Sequence, residues 1–265
     1  MKKVNKLLVL TLAMVMCMSV FTACGKKEKK SENTFILGLD DSFPPMGFVD
    51  ENQNIVGFDI DVAKEVCKRL GYTLKLQPIS WTAKETELNS KNIDCIWNGL
   101  SVSPERQEKF LLSDSYMKNN QVAVVLAGSE CTKLEDLAGK KVVCQNSSTA
   151  SDAIDAMPDF KKSLGEVVYV ADNVQAMLDL ETKGSDAVIM DEVVARYYME
   201  KESNKDKFKI LDGVLSEEEY AIAFRKDDKE LCDKVNKTLK EMAKDGKLAE
   251  ISNKWFAKDI TIINK

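Results

Sequence analysis

Strand-like and helix-like segments alternate along the chain from residue 35 to residue 256, and this alternation constrains the fold more than any other feature. Residues 34–39 (TFILGL) form a short apolar run that is typical of a strand. Residues 58–71 then place apolar side chains on one face of a helix that ends at Gly71. Repetition of this pair predicts an α/β protein with mainly parallel sheets. In such sheets ligands bind at the carboxyl ends of strands, against helix N-termini.

The same pattern gives the remaining predicted elements. Further strands are predicted at residues 72–77, 93–97, 121–127, 140–145, 166–171, 186–190 and 219–226. Further helices are predicted at residues 104–111, 149–157, 173–184, 228–246 and 247–256. No internal repeat of solenoid period interrupts them.

The N-terminal segment reads as a targeting signal rather than as part of the fold. Three lysines precede an apolar run over residues 7–21 that is shorter than the roughly 20 residues of a membrane span. We therefore predict a signal peptide over residues 1–23 that is removed before Cys24. A cysteine at the cut site resembles a lipobox, with Phe21 where Leu or Val is usual. This predicts a lipid on Cys24 and a polar tether over residues 24–33, at the extracellular face of the cell membrane.

Charge and composition exclude several classes of function. Residues 31–265 carry 31 basic and 42 acidic side chains, a net charge of −11, so binding to nucleic acid is not expected. The chain contains no histidine, which excludes Ser-His and Cys-His catalysis and argues against a usual zinc site. Five cysteines follow Cys24 without ligand-like spacing, so we expect buried thiols and no metal.

Small polar residues fill the junctions between strands and helices, and one of these junctions carries a permanent cation. In residues 98–106 (NGLSVSPER), Ser103 suits a helix cap and Pro104 the first helical position, whereas Arg106 does not suit the positive end of the helix dipole. With Gly99 and Ser101 beside it, the Arg106 guanidinium could hold a carboxylate bidentately. The alternative is an exposed Arg106 paired with a surface acid.

Two further strand ends offer complementary groups. Ser148 and Thr149, in the turn 145–152 (QNSSTASD), could present hydroxyls to an anion or could cap the following helix. Asp191 could accept bonds from an ammonium group or cap its own helix, and aromatic residues such as Phe43 and Trp81 could wall a ligand or belong to the core. One cation, one anion, hydroxyls and aromatic walls together match a free α-amino acid.

With these junctions in place, the chain resembles the extracellular solute-binding proteins of ABC transporters, in the polar amino-acid family. The resemblance extends over residues 35–256 and rests on the order and spacing of several stretches. They are LGLDDSFPPMGF, IVGFDIDVAKEVCKRLG, NIDCIWNGLSVSPERQEKFLLSDSYM, KKVVCQNSSTASD, GSDAVIMD, EYAIAFRKDDKEL and NKWF.

The resemblance implies roles for individual residues. Arg106 would bind the ligand's α-carboxylate, while Gly99 and Ser101 would meet its ammonium and carboxylate groups. A Gly-Thr-Thr-like turn of the second domain would fall on residues 147–149, with Ser147 where glycine is usual. Asp191 would accept the ammonium. The family's side-chain pocket positions fall on Asp40, Phe43 and Trp81, with Gln145 beside them.

The family fold is α/β, a two-lobe periplasmic-binding-protein-like fold (type II) with two crossover strands. The resemblance places the first lobe at residues 34–122 and 222–265 and the second at residues 123–221. It implies a lipoprotein without cofactor or catalytic residue that delivers a polar amino acid to an ABC permease with its ATPase. Asp40 and Trp81 leave arginine, lysine, glutamine and cystine open as ligands.

Two other functions remain as alternatives. The first is an amino-acid sensor domain that signals through a separate membrane receptor. The second is a cyclohexadienyl-dehydratase-like enzyme, which would need a carboxylic general acid in the cleft. Asp40, Asp41 and Glu85 are the candidates for that acid.

Overall fold

The computed structural model describes residues 33–264, apart from the side chain of Glu202. The predicted signal peptide, the lipidation site at Cys24 and all but the last residue of the predicted tether lie outside the described residues. Within the described range, no helix combines the length and the apolar character that crossing a membrane requires.

Thirteen strands form over residues 33–264. They are β1 (Thr34–Leu39), β2 (Ser42–Phe43), β3 (Gly47–Val49), β4 (Ile55–Val56), β5 (Thr73–Pro78), β6 (Cys95–Ser101), β7 (Leu111–Leu112), β8 (Met117–Leu126), β9 (Lys141–Gln145), β10 (Glu166–Val170), β11 (Ala187–Asp191), β12 (Phe208–Ile210) and β13 (Ser216–Phe224). Every predicted strand corresponds to one of these.

Nine α-helices and three 3₁₀ helices accompany the strands in the same range. The α-helices are α1 (Phe58–Leu70), α2 (Lys84–Asn89), α3 (Pro104–Lys109), α4 (Thr149–Asp155), α5 (Pro158–Ser163), α6 (Asn173–Glu181), α7 (Glu192–Glu200), α8 (Lys229–Lys244) and α9 (Lys247–Phe256). The 3₁₀ helices are Trp81–Ala83, Leu134–Leu137 and Glu202–Asn204.

The larger sheet has the strand order β10-β9-β11-β8-β13-β6-β1-β5 along its main path. Strand β1 is parallel to β5 and β6, and β9 is parallel to β10 and β11. We call β5, β1 and β6 the first sheet half and β10, β9 and β11 the second sheet half. The expectation of mainly parallel sheets is correct inside each half but wrong for β8 and β13, which are antiparallel to their neighbours.

Strands β8 and β13 connect the two sheet halves. They pair with each other over Met117–Gln121 and Ser216–Tyr220. Beyond that region β8 continues along β11, while β13 continues along β6. Each strand therefore starts in a shared ribbon and ends in a different half, as the two crossover strands of the resemblance require.

Helix α1 shows why the sequence pattern predicted the elements well. Its apolar positions Ile60, Ala63, Val66 and Cys67 are buried, as the helical spacing predicts. Gly71 ends the helix with φ 72°, a left-handed conformation that glycine adopts without a steric cost. Shorter elements such as β2, β4 and β7 have two residues each, too few to show a period.

The five cysteines of the described range are buried and unpaired, as expected. Burial raises the pKa of the Cys67 and Cys144 thiols to about 12. A thiol with so high a pKa is protonated at neutral pH and acts as a small apolar side chain.

Candidate ligand-binding site

A cavity lies at the carboxyl ends of strands from both sheet halves. Nine of the ten predicted site residues line it, together with one residue that was not predicted, Asn98. The lining residues are Asp40, Phe43, Trp81, Asn98, Gly99, Arg106, Gln145, Ser148, Thr149 and Asp191. The tenth predicted residue, Ser101, lies just behind the lining.

Arg106 brings a buried cation to the first sheet half. Helix α3 begins at Pro104, and the Ser103 hydroxyl accepts a hydrogen bond from the Arg106 N–H at 3.2 Å, so the predicted cap is confirmed. The Arg106 side chain turns back and donates from Nη1 to the Ser101 carbonyl at 2.8 Å. Arg106 is only 6% exposed, which excludes the alternative of an exposed surface pair.

No salt bridge to Arg106 forms within residues 33–264, although carboxylates lie in its neighbourhood. Burial lowers the pKa of the guanidinium, and the charges of Asp152, Glu218 and Asp191 oppose that change. A guanidinium remains protonated in proteins, so a buried positive charge with unused donors lines the cavity. Such a charge favours an anionic group of a ligand.

Asp191, at the end of β11 in the second sheet half, supplies the opposite charge. Its Oδ1 accepts hydrogen bonds from Asn119 Nδ2 at 2.6 Å, Gln121 Nε2 at 3.0 Å and the Tyr220 hydroxyl at 2.8 Å. Asp191 precedes helix α7 but makes no side-chain cap bond to it, so the capping alternative does not hold. Burial, followed by the charge of Glu218, raises the pKa of Asp191 to about 7.

Gly99 is built into the wall in a way that limits its role. It adopts φ 59°, and a Cβ at this position would lie 2.9 Å from the Phe43 ring. Its N–H donates at 2.7 Å to Oδ2 of the fully buried Asp59, which also accepts from the Tyr116 hydroxyl at 2.9 Å. The Gly99 N–H is therefore already used within the fold and is not available to a ligand. Burial raises the pKa of Asp59 to about 7.

The second polar turn is organised by its own hydrogen bonds. The Ser148 hydroxyl donates to the Gln145 carbonyl at 2.7 Å and accepts from the Ser151 N–H at 3.3 Å, so it caps helix α4. The capping alternative is therefore correct for Ser148. Ser147, where the family usually has glycine, adopts φ 56° and so keeps the left-handed backbone that glycine would supply.

Asp40 and Gln145 meet at another part of the cavity, and the predicted aromatic residues are buried in the lining beside them. Gln145 Nε2 donates to Asp40 Oδ2 at 2.8 Å and to the Ala171 carbonyl at 3.0 Å. Burial raises the pKa of Asp40 to about 6, while bonds from the Ser42 N–H and Gln145 oppose the shift. Phe43 and Trp81 are 6% and 8% exposed.

Lys84 was not predicted as a site residue, and it connects Trp81 to the second polar turn. Its Nζ lies 4.9 Å from the centre of the Trp81 ring and donates to the Trp81 carbonyl at 3.2 Å and to the Ser147 carbonyl at 3.0 Å. Burial, and secondarily the charge of Arg106, lowers the pKa of Lys84 to about 8. In the sequence, a lysine within KETELN is indistinguishable from an exposed helix residue.

Within residues 33–264, three hydrogen bonds join residues beside the first sheet half directly to the polar turn 145–152. They run from Gln145 to Asp40, from Lys84 to the Ser147 carbonyl, and between the hydroxyls of Thr149 and Ser101 at 3.2 Å. The structure therefore has the two sides in contact around the ligand cavity, which corresponds to a closed arrangement.

Asn98 could have been found from the sequence, because it directly precedes Gly99 at the end of β6. Its Oδ1 accepts from the Asp40 N–H at 3.1 Å, while its Nδ2 is buried with no acceptor in the described part of the chain. No group of three or more Cys, Asp or Glu side chains among residues 33–264 is arranged to hold a metal ion.

The fold and the cavity define a class of protein: a two-lobe α/β binding protein of type II, with two crossover strands and a charged cavity between its sheet halves. The chain belongs to family 3 of the bacterial extracellular solute-binding proteins, whose family model matches residues 35–258. The resemblance seen in the sequence and the fold that it implied are both confirmed.

Individual relatives bind different amino acids. The arginine-binding extracellular protein ArtP of Bacillus subtilis is 34% identical over 239 residues, which cover 89% of this chain and 92% of that protein. The L-cystine-binding protein TcyJ of Escherichia coli is 30% identical over 264 residues, with 96% and 95% coverage. A substrate-binding protein of an ABC uptake transporter from Streptococcus pneumoniae, solved with bound histidine, superposes with a TM-score of 0.84 at 37% identity, covering 86% of this chain and 94% of that one.

Proposed function

We propose that this protein captures a free polar amino acid between two closing lobes and delivers it to the permease of an ABC importer. The observation that carries the proposal is the pair of buried opposite charges on the cavity wall. Arg106 has no salt-bridge partner among residues 33–264, whereas Asp191 is held by three donors and faces the same cavity. A zwitterionic head group satisfies both charges at once.

The lobes of this proposal follow the crossover strands. The first lobe consists of residues 34–122 and 222–265, and the second of residues 123–221. The pairing of Ala123 and Val124 with β11, and of Ala223 with β6, supports these bounds to within one or two residues, since Val122 already pairs with β11 and Ala221 with β6. Arg106 then belongs to the first lobe and Asp191 to the second, so a ligand that contacts both stabilises the closed state by its differential affinity.

The side chain of the ligand would lie among Asp40, Gln145, Phe43 and Trp81. A carboxylate with an amide and two aromatic rings suits a polar or cationic side chain. Relatives that bind arginine, cystine or histidine support this class. Arginine, lysine, glutamine and cystine remain our candidates, with histidine added by these comparisons.

The localisation of the proposal depends on the N-terminal segment. The protein would be exported by the signal peptide over residues 1–23 and held at the extracellular face of the membrane by a lipid on Cys24. Metabolic labelling with a radioactive or alkyne-bearing fatty acid, with the Cys24→Ala variant as the control, tests this anchor.

We further propose that the cavity binds without catalysis. A dehydratase-like reaction needs a carboxylic acid that can reach the substrate. Of the three candidates, Asp40 lies on the cavity, whereas Glu85 forms an exposed salt bridge with Lys109 at 2.8 Å. Incubation with prephenate, followed by detection of phenylpyruvate, tests the enzymatic alternative. A permease and an ATPase encoded beside this chain would favour the importer over the sensor.

A thermal-shift screen tests the proposed function directly. The purified mature chain is heated with each of the twenty amino acids and with cystine, because a ligand that binds only the folded state raises the unfolding temperature. We expect a rise with at least one polar amino acid and none with leucine. Isothermal titration calorimetry then gives the Kd. If the entire panel leaves the unfolding temperature unchanged, the proposal is wrong.

A further inference from the structure

Glu218 is an acidic residue that the sequence hides in a run of surface charge. It lies in β13 between Glu217 and Glu219, both of which are exposed, whereas Glu218 points to the opposite face of the strand and is partly buried. Its Oε2 accepts from four side chains. They are Ser101 Oγ at 2.6 Å, Gln121 Nε2 at 3.0 Å, Asn119 Nδ2 at 3.1 Å and Thr149 Oγ1 at 3.3 Å.

These contacts keep the hydroxyl protons of Ser101 and Thr149 within the cluster. The Ser101 hydroxyl donates to Glu218 Oε2, which also accepts from two amide groups. The Thr149 proton then points either to Glu218 or to the Ser101 oxygen, 3.2 Å away. In both cases the Thr149 proton stays within this cluster, and the Thr149 oxygen also accepts from Gln121 Nε2 at 3.3 Å, so the hydroxyl of this cavity-lining residue has no proton to donate to a ligand. Neither hydroxyl on this side of the cavity is free to donate to a ligand.

Glu218 and Asp191 share two hydrogen-bond donors. Asn119 and Gln121 donate to both carboxylates, at 2.6 Å and 3.0 Å to Asp191 Oδ1. Asp191 lines the cavity, and Glu218 lies behind it. The donors of Glu218 come from β6, β8 and the start of α4, so the arrangement includes both sides of the cavity and a crossover strand. It is complete only when the two sides are in contact.

We propose that Glu218 is the positioning residue that makes this end of the cavity specific for an α-ammonium group. It holds the hydroxyl protons of Ser101 and Thr149 away from the ligand and adds a second negative charge behind Asp191. The site then accepts an α-amino acid and rejects the corresponding acid that lacks the amino group. This inference rests on the proposed function and names the group that this end of the site recognises.

The substitution Glu218→Gln tests the inference, because it keeps the size of the side chain but supplies an amide that can donate. Two ligand pairs are used: L-arginine with 5-guanidinopentanoate, and L-glutamine with glutaramate, which differ only by the α-ammonium. Calorimetry measures Kd for each. Glu217→Gln and Glu219→Gln are matched controls, because each removes one exposed charge from the same strand.

We expect wild-type protein to prefer the amino acid over its deaminated analogue by about a hundredfold or more, because the analogue leaves buried acceptors unpaired. In E218Q this ratio should fall about tenfold or more, mainly through weaker binding of the amino acid. The controls should keep the wild-type ratio. A residue with only a structural role would weaken both ligands equally and leave the ratio unchanged, which would overturn the inference.

Two further arms separate the possible failures. Glu218→Asp keeps the charge, and its ratio should lie closer to that of wild type than to that of E218Q. Should E218Q not fold, Ser101→Ala removes one of the two hydroxyls, and an unchanged ratio in that variant overturns the inference. If the wild-type protein binds no amino acid at all, the proposed function itself has failed, and this is visible before any variant is made.

Discussion

Two polar turns face each other across the cavity, and they use the same local pattern for different purposes. Residues 98–106 span the end of β6 and residues 145–152 begin at the end of β9, and each turn has a serine cap and one residue with φ near 60°. In the second turn the Ser148 hydroxyl forms its bonds within the turn. In the first, Arg106 makes one bond to a carbonyl and has no salt bridge in the described range. The Arg106 guanidinium in the first turn therefore keeps hydrogen-bond donors that a ligand can use.

The largest effect on Kd should come from removing the Arg106 guanidinium. In Arg106→Ala the ligand carboxylate would be desolvated without a partner, which costs about 3–5 kcal/mol, or about a hundredfold to a few thousandfold in Kd. The counterpart in the second turn, Ser148→Ala, should cost about 1 kcal/mol of helix-cap stability and should change Kd by less than about tenfold. Calorimetry and urea unfolding of both variants measure the contrast.

The control for this comparison is Arg69→Ala. Arg69 pairs with Glu65 and Asp245 at the surface, at 2.8 Å and 2.7 Å. Exposed pairs contribute little to stability, and Arg69 lies outside the cavity lining, so wild-type affinity is expected. Equal affinity of the Arg106→Ala protein and the wild type would remove the distinction between the two turns.

The carboxyl groups around the cavity should make the ligand-free protein less stable as the pH rises. The pKa values of Asp40, Asp59 and Asp191 are raised to about 6, 7 and 7 from 3.8, so the folded protein binds these protons more tightly than the unfolded chain. Between about pH 4 and its own raised pKa, each group lowers the unfolding free energy by up to about 1.4 kcal/mol per pH unit as the pH rises. Surface carboxylates with lowered pKa, such as Glu65, act mainly below the usual value of 4.5.

Urea unfolding at several values between pH 4.5 and 7.5 measures this slope. Asp191→Asn removes one of the three groups, so its slope should be shallower than that of the wild type over this range. Above about pH 7 the two curves should run parallel. An identical slope in both proteins would show that Asp191 is already ionised in the folded state at low pH.

The difference between the turns also shows what a sequence can predict. Strand–helix alternation predicted the α/β class, and the family resemblance carried by the order of the polar junctions implied the two-lobe fold. Ser103 and Pro104 were placed correctly at the start of a helix because capping is a local property of the chain. For the same reason Asn98, adjacent to Gly99, was within reach. Asp59 and Glu218 were not, because their partners are distant in the chain: Asp59 binds the N–H of Gly99, and Glu218 binds residues up to 117 positions away.

The hydrogen bonds of backbone groups are equally difficult to predict from the sequence. The sequence suggested that Gly99 opens the backbone to a ligand, whereas the fold uses its N–H for Asp59. Likewise, an acidic run over residues 217–219 has no period that marks the middle residue as inward-facing until the strand is known. Side-chain bonds between distant elements depend on packing, and packing has no signature in a single segment of sequence.

The one residue with φ near 60° in each of the two turns allows a smaller, sharper test. Gly99→Ala places a Cβ 2.9 Å from the Phe43 ring and puts alanine at φ 59°. The left-handed backbone alone costs about 1–2 kcal/mol, and Phe43 must also move, so we expect a loss of about 2 kcal/mol or more of unfolding free energy. Gly128→Ala is the control, because a Cβ there meets no atom within 4 Å. A Gly99→Ala protein as stable as the control would contradict the strain.

Ser147→Gly is the reverse change in the second turn, and it should have the smallest effect. Ser147 is exposed at φ 56°, where glycine relieves about 1–2 kcal/mol of strain but adds about 0.5–1 kcal/mol of unfolded-state entropy. The net gain should be about 1 kcal/mol or less, and Kd should not change, because the carbonyl that accepts from Lys84 is retained. Asn146→Gly, next to it but without a positive φ, should instead lose about 0.5–1 kcal/mol, since it has no strain to relieve. Urea unfolding compares the two variants, and a loss at both positions would mean that Ser147 is not strained.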